Sequence, residues 1–424
     1  MSMESVEVGN NISKGILEDQ IVIPDEDIMD ERNDLDHVQQ DDLVESQQTS
    51  IDQENYFVWK RNAPFLYDYL QTSALLWPSL TVQFFPDVEK QDDRTLGYRL
   101  LTGTYTSGSM PEYLTIMQLQ VKNQINVSID DFNVDKKEFT SMKNLPNKIS
   151  DIQKISHDQE INRARYNWSN PDIIATINGL GKVCIYDRTK HPSQPSINIK
   201  PEIILDYHKA DGFAIGWNFN DELLTAASNG LIYVYDLNKW SKDKQILEPS
   251  NVVVAHDNGV NDASFLFKNN SIFGSVGEDK QYKIWDKRNS TSNHILSYSH
   301  ETSPINSLAF NPVNQYLSAI GDAEGNILIH DLRNFDKPIR KIEKAHSSSI
   351  TCLEWNYNKP TVLASGSEDN LVKLWNVSEE YDNLIFVHGG HLYGINDLSW
   401  NPNDDWMISS VSNDNSLHVW KPSF

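Results

Sequence analysis

Hydrophobic and polar residues alternate in short runs along most of this chain, and turn-forming residues bound the runs. The clearest case lies between His346 and Asn376, where a His is followed by SITCLEW, VLASGS and LVKLWN. Alternating runs of about four to eight residues, separated by Asn, Pro, Gly and Asp, predict three short strands joined by tight turns. The layout repeats: its His recurs at 157, 208, 256, 300, 346 and 391, in steps of 51, 48, 44, 46 and 45 residues. A closing aromatic-Asp element recurs with it, as Tyr186-Asp187, Tyr235-Asp236, Trp285-Asp286, His330-Asp331, Trp375-Asn376 and Trp420-Lys421.

A period near 45 with a His early and Trp-Asp late is the signature of WD-repeat propellers, in which each unit supplies one antiparallel blade. Six units carry the motif. Upstream, YRLLTGTYT (98–106), YLTIMQLQV (113–121) and KISDIQKISH predict the strands of a seventh unit, interrupted by a polar excursion over 122–147. The expected fold is therefore all-β, a seven-bladed propeller over 77–424. In such repeats the His, an Asp six positions before the terminal aromatic, and that aromatic form a buried cross-brace. His256/Asp279/Trp285, His346/Asp369/Trp375 and His391/Asp414/Trp420 are complete. Asn229, Glu324 with His330, and Leu180 with Tyr186 replace members elsewhere, so those blades are expected to be less well braced. Histidines spread over separate blades lack the close spacing of a zinc site, and no metal is expected.

Ahead of the propeller, Phe57, Trp59, Phe65, Leu66, Tyr69 and Leu70 stand at spacings that predict a helix with one apolar stripe over 55–76, with Pro64 allowing a kink or a start. WPSLTVQFFP (77–86) then predicts a strand. The last unit ends four residues after Trp420 and leaves no chain for its own outer strand. The strand at 80–84 is expected either to close that blade from outside, or to form the inner strand of the first blade and leave the last with three strands.

Composition narrows the function. The 424 residues, 39% of them hydrophobic, suffice for one large core. Cys184 and Cys352, the only two cysteines, lie inside strand-like runs, which argues against a disulfide framework and for a reducing compartment. No apolar run has the length of a membrane span, and no apolar block follows a basic N-terminus. Residues 1–54 hold 16 Asp or Glu against Lys14 and Arg32, and read as a disordered acidic tail. A net charge of -24 disfavours direct nucleic-acid binding and favours a basic partner. There is no phosphate-cradling loop or nucleophile motif, so neither catalysis nor a cofactor is expected.

Several longer motifs are more specific than a generic repeat. WKRNAPFLYDYL (59–70), WPSLTVQFFPD (77–87), NRARY (162–166), YDRTKHPS (186–193) and HGGHLYGINDLSWNP (388–402) together resemble the retinoblastoma-associated histone-binding family, over about residues 55–422. The resemblance implies a seven-bladed propeller with an N-terminal helix on its side, acting as a non-enzymatic histone-binding subunit in the nucleus, with some cytoplasmic pool. Family members serve chromatin assembly factor, type B histone acetyltransferase, deacetylase and Polycomb complexes. The short sixth-blade loop and the ending HVWKPSF lean towards replication-coupled chromatin assembly factor. The Asp-x-Arg endings Asp286-Lys287-Arg288 and Asp331-Leu332-Arg333 point to another class, a substrate receptor of a cullin ubiquitin ligase.

By the same resemblance, a side groove for the first helix of a core histone is expected from Phe65, Leu66, Tyr69, Phe386 and Val387. Its acidic lip is reduced here to Glu379, Glu380 and Asp382. A second site, for a histone tail, is expected where the central channel opens, with Glu160, Asn162, Asp211 and Phe213 matching the family. Asn261, Ser349, Thr351 and Leu76 stand where acids or aromatics are usual, which implies weakened or retargeted tail binding.

Overall fold

The computed structural model describes residues 54–424, except 93–94, 123–131, 134–137, 140–148, 197–199, 242–245, 290–292 and 379–382. The predicted acidic tail, apart from Glu54, lies outside the described residues. Seven four-stranded antiparallel sheets form the blades of a propeller. Their inner strands are Val82–Asp92, Arg163–Tyr166, Gly212–Trp217, Val260–Leu266, Ile305–Phe310, Ile350–Trp355 and Ile395–Trp400. Second strands such as Val362–Ser367 are buried along their whole length. Blades cover both of their faces, which explains why VLASGS reads as an unbroken run of apolar and small residues. The hydrophobic clusters lie between neighbouring blades; one joins Cys352, Ala364 and Leu374 of the sixth blade to Ile395, Trp400 and Trp420 of the seventh.

The cross-brace has a fourth member that the motif spacing did not reveal. In the sixth blade His346 pairs with Asp369 through Nδ1 at 2.9 Å and meets Ser365 Oγ through Nε2 at 2.7 Å. Trp375 Nε1 donates to the same Ser365 Oγ at 2.9 Å. His256, Asp279, Ser275 and Trp285 repeat this in the fourth blade. In the second and third blades Thr176 and Thr225 take the serine's place beside His157 and His208. The fifth blade is braced differently: Ala319 stands at the serine position, His300 Nε2 pairs with Asp322 at 3.3 Å, and among the described residues neither ring nitrogen of buried His330 has a side-chain partner. Burial pushes the His330 pKa down to about 4.

Ring closure keeps half of the second alternative drawn from the sequence, the inner strand of the first blade, and overturns the rest. The helix covers only 54–66. Tyr67–Ala74, expected to continue it, is a strand antiparallel to Ser416–Pro422, with Leu70 opposite Trp420 and Ala74 opposite Ser416. The last blade thus has four strands, while Val82–Asp92 is the inner strand of the first. The reason is visible in Tyr67-Asp68-Tyr69, which alternates buried, exposed, buried, the period of a strand. Pairing with the otherwise open edge of Ser416–Pro422 outweighs the helical spacing of the neighbouring apolar residues.

Tyr69 tests this closure. Its ring is buried between the first and last blades, and its hydroxyl finds no partner. Tyr69→Ala is expected to cost about 3–5 kcal/mol in urea unfolding. Tyr69→Phe, which removes only an unsatisfied polar atom, is expected to be neutral or stabilising.

Candidate functional site

The helix presents two faces. Trp59, Ala63 and Leu66 point into the cluster shared by the last two blades. Phe57, Val58 and Phe65 stay 56%, 51% and 63% exposed. Beside the helix runs the outer strand of the sixth blade, Asn383–His388, whose Leu384 and Val387 are also exposed. Leu66, Ile385 and Phe386 of the same two elements are partly buried against that cluster.

Of the predicted groove residues, Phe65 and Val387 are exposed on these two elements and Leu66 is partly buried. Tyr69 is not exposed, because the strand carries it into the core. Phe386 is an anchor more than a wall: its ring packs on Tyr67 at 5.2 Å and on Trp420 at 5.6 Å. Glu379, Glu380 and Asp382, the expected acidic lip, lie outside the described residues.

A hydrogen-bonded chain fixes the helix in place. Trp59 Nε1 donates to Tyr67 Oη at 2.7 Å. Tyr67 Oη lies 2.7 Å from His388 Nδ1, and His388 Nε2 lies 3.0 Å from His418 Nδ1. A tyrosine that already accepts the indole proton donates its own to His388, so His388 carries its proton on Nε2 and donates to His418. Both imidazoles are neutral, and burial pushes their pKa values well below the usual histidine range. The HGGH stretch has a steric role as well: a Cβ on Gly390 would come within 2.7 Å of Trp59 Cζ2, so only glycine admits the indole.

His391 completes a buried trio with His388 and His418 whose nitrogens lie close enough for a metal. Its own nitrogens, however, already meet Ser416 and Ser410 at 2.8 Å, and its ring stacks on His418 at 4.0 Å. Stacked rings direct their lone pairs side by side, not towards one ion, and the trio reads as packing.

The mouth of the central channel is the second candidate surface, a depression of about 750 Å³. Glu160, Asn162, Asp211 and Phe213 all line it, as do Asn261, Ser349 and Thr351. The structure adds Glu278 and Glu368, which sequence reasoning missed. Each directly precedes a brace Asp, in GEDK and SEDN, and that placement was the available signal.

Below the mouth the channel is filled. Asp397 accepts from Val82 N–H at 2.9 Å and pairs with Arg165 at 2.9 Å. Asp262 accepts from Leu308 N–H at 3.0 Å, and Glu354 from Trp400 N–H at 2.7 Å. Burial pushes Glu354 up to about 8. At the far end Trp168 meets Phe267 at 5.6 Å and Tyr357 at 5.8 Å. Elsewhere, the guanidinium groups of Arg288 and Arg333 are tied back to Asp286 and Asp331 of their own turns.

Neutral buried histidines make the helix anchor pH-sensitive. Above about pH 6.5 the folded and unfolded chains both hold these imidazoles neutral, and their packing contributes fully. As pH falls below that, the unfolded chain takes up protons that the folded one refuses, and stability drops. From pH 7.5 down to 5.5 the urea midpoint is expected to fall, and so are the amide protection factors over 54–66 once the pH dependence of intrinsic exchange is divided out. His418→Gln keeps an acceptor but removes one titrating group, and should flatten the dependence.

Residues 54–123 match the family model described as the histone-binding protein RBBP4 or a subunit of the CAF1 complex. Residues 217–420 match the model of the nucleolar protein 10-like N-terminal domain, a propeller. The first match covers the helix, the closing strand and most of the first blade; the second runs from the third blade to the seventh. With the helix latched to the side of a seven-bladed ring, the chain fits the RBBP4-like family of histone-binding WD-repeat proteins.

Proposed function

We infer that this protein is a non-enzymatic histone-binding subunit that hands basic core histones to a larger nuclear chromatin complex. The observation that carries the reading is an exposed apolar flank, read here as a trough: a helix anchored on one face leaves Phe57, Val58 and Phe65 exposed, and the outer strand of the sixth blade leaves Leu384 and Val387 exposed. Exposed apolar residues gathered along one groove mark a docking surface for an amphipathic helix. The chain's net charge of -24 favours a basic one, and the histone-binding match covers the helix.

The complex proposed is replication-coupled chromatin assembly factor, supported by the match to the RBBP4 and CAF1 family model and by the short sixth-blade loop. Type B histone acetyltransferase, deacetylase and Polycomb assemblies are the other destinations. The channel mouth is proposed as a second site, where Glu160, Asp211, Glu278 and Glu368 receive cationic side chains of an extended histone segment. Each such charge-assisted bond contributes roughly 1.5–3 kcal/mol gross. A cullin-ligase receptor role draws no support from Arg288 and Arg333, since both are engaged by their own turns.

The test is binding of full-length protein to a peptide covering the first helix of an arginine-rich core histone. Phe65→Asp and Val387→Asp, both at exposed positions, are expected to weaken binding at least tenfold, about 1.4 kcal/mol, without lowering the urea midpoint. Unchanged affinity in both variants would remove the trough from the mechanism.

A further inference from the structure

The rim of the channel mouth is uneven. Four carboxylates, Glu160, Asp211, Glu278 and Glu368, line it, and among the described residues none of them forms an ion pair. The arc between the seventh and first blades carries no charge and is lined by Leu80, Asn396 and Asn413. Just outside that arc stand Leu76, Leu392 and Tyr393, which are 84%, 41% and 62% exposed. Hydrogen bonds tie two of their segments to one turn. Leu75 N–H donates to Asn415 O at 2.7 Å, and Leu392 N–H donates to Asp414 Oδ2 at 2.8 Å. Leu76 and Leu392 therefore flank one turn, 414–415.

Tyr393 is joined to the acidic side of the rim through its neighbour. A Cβ on Gly394 would lie 3.3 Å from Glu368 Cα and 3.8 Å from Glu368 Cγ, so Gly394 packs directly on that acid. Ser412 Oγ donates to the Tyr393 carbonyl at 2.7 Å and fixes the turn. An apolar ledge thus abuts Glu368 on a mouth whose charged lining is four carboxylates and Arg163.

We propose that the mouth binds an extended basic peptide with an apolar anchor: an Arg or Lys enters beside Glu368 and Glu160, and a bulky aliphatic side chain a few residues away rests on Leu76, Leu392 and Tyr393. This rests on the reading of the mouth as a peptide site and adds its selectivity. Charge complementarity selects the cation. Three large apolar side chains exposed together against that mouth select the anchor, because covering them removes apolar surface from water. The ledge also sets direction, since the carboxylates and the apolar arc lie on different sides of the mouth.

Two fluorescent peptides on full-length protein test the proposal. One carries an Arg-Lys pair in a Gly-Ser background; the other adds a single Leu two, three or four residues beyond the pair. The expected result is binding of both, with the best Leu register about tenfold tighter or more. Leu76→Ser with Tyr393→Ser should erase that gain and leave the plain peptide's affinity unchanged, while Glu160→Gln with Glu368→Gln should weaken both peptides. Equal affinity for the two peptides in wild type, or a gain that survives in the ledge variant, would overturn the proposal while leaving the mouth a peptide site. Failure of either peptide to bind would remove the mouth reading and the proposal with it. Self-association that the ledge substitutions abolish would overturn it in favour of a second copy of this chain as the occupant.

Discussion

A propeller exists only as a closed ring, and this one closes by lending the last blade a strand from the start of the chain. Tyr67–Ala74 pairs with Ser416–Pro422 on the outside. On the inside Asp397 takes the Val82 N–H at 2.9 Å, and Ser399 Oγ takes that of Phe84 at 3.1 Å. Without the borrowed strand the seventh blade would present an open edge, a template for pairing with other chains. The same seam sets both candidate surfaces. The helix comes immediately before the closing strand, so its position on the side of the ring follows from the pairing. After the strand, residues 75–81 cross from the outermost to the innermost position, and this crossing carries Leu80 to the channel mouth.

The channel beneath that mouth is a structural member and not a passage. Buried acids on three inner strands each accept a backbone N–H from the next strand round the ring: Asp262 from Leu308, Glu354 from Trp400, Asp397 from Val82. Arg163 and Arg165 supply the opposing charge. Buried charges are costly when unpaired, and here strand-to-strand bonds and guanidinium partners offset that cost while fixing the order of the blades. The remaining chamber, about 170 Å³, is lined at the far end by Trp168, Phe267 and Tyr357. A ligand therefore meets a shallow acidic mouth, suited to side chains at the surface and not to a threaded chain.

The repeating part of this architecture was legible because the brace residues stand at fixed spacing. His346, Asp369 and Trp375 could be read as one unit from the sequence alone, and the seven-bladed count followed. What escaped were residues whose role is set by contact across the ring. Ser365 is a serine in a strand until His346 and Trp375 converge on it. Glu278 and Glu368 look like turn residues until the ring brings them to one mouth. Tyr69 and Phe386 have the composition of a groove, but Tyr69 falls on the buried side of a strand that was read as helix, and Phe386 turns onto Tyr67 and Trp420. The error at 67–76 has a definite source: local apolar spacing favoured a helix, whereas pairing with a strand some 350 residues later, a contact no local window contains, decided the outcome.

Trough and mouth are carried by one continuous segment, which raises the question of whether occupation of one alters the other. Coupling between sites requires an element with two arrangements that the ligands weight differently. The strand between them is matched to Ser416–Pro422 at seven register positions, and at its start Tyr67 is tied to Trp59 and His388. This ladder has a single arrangement, so a ligand in the trough has nothing to shift at the mouth. On the proposed reading, the two surfaces are independent sites on a rigid frame. A histone that presents a helix to one and an extended segment to the other gains affinity through effective concentration, by an amount that the length of the linking peptide sets.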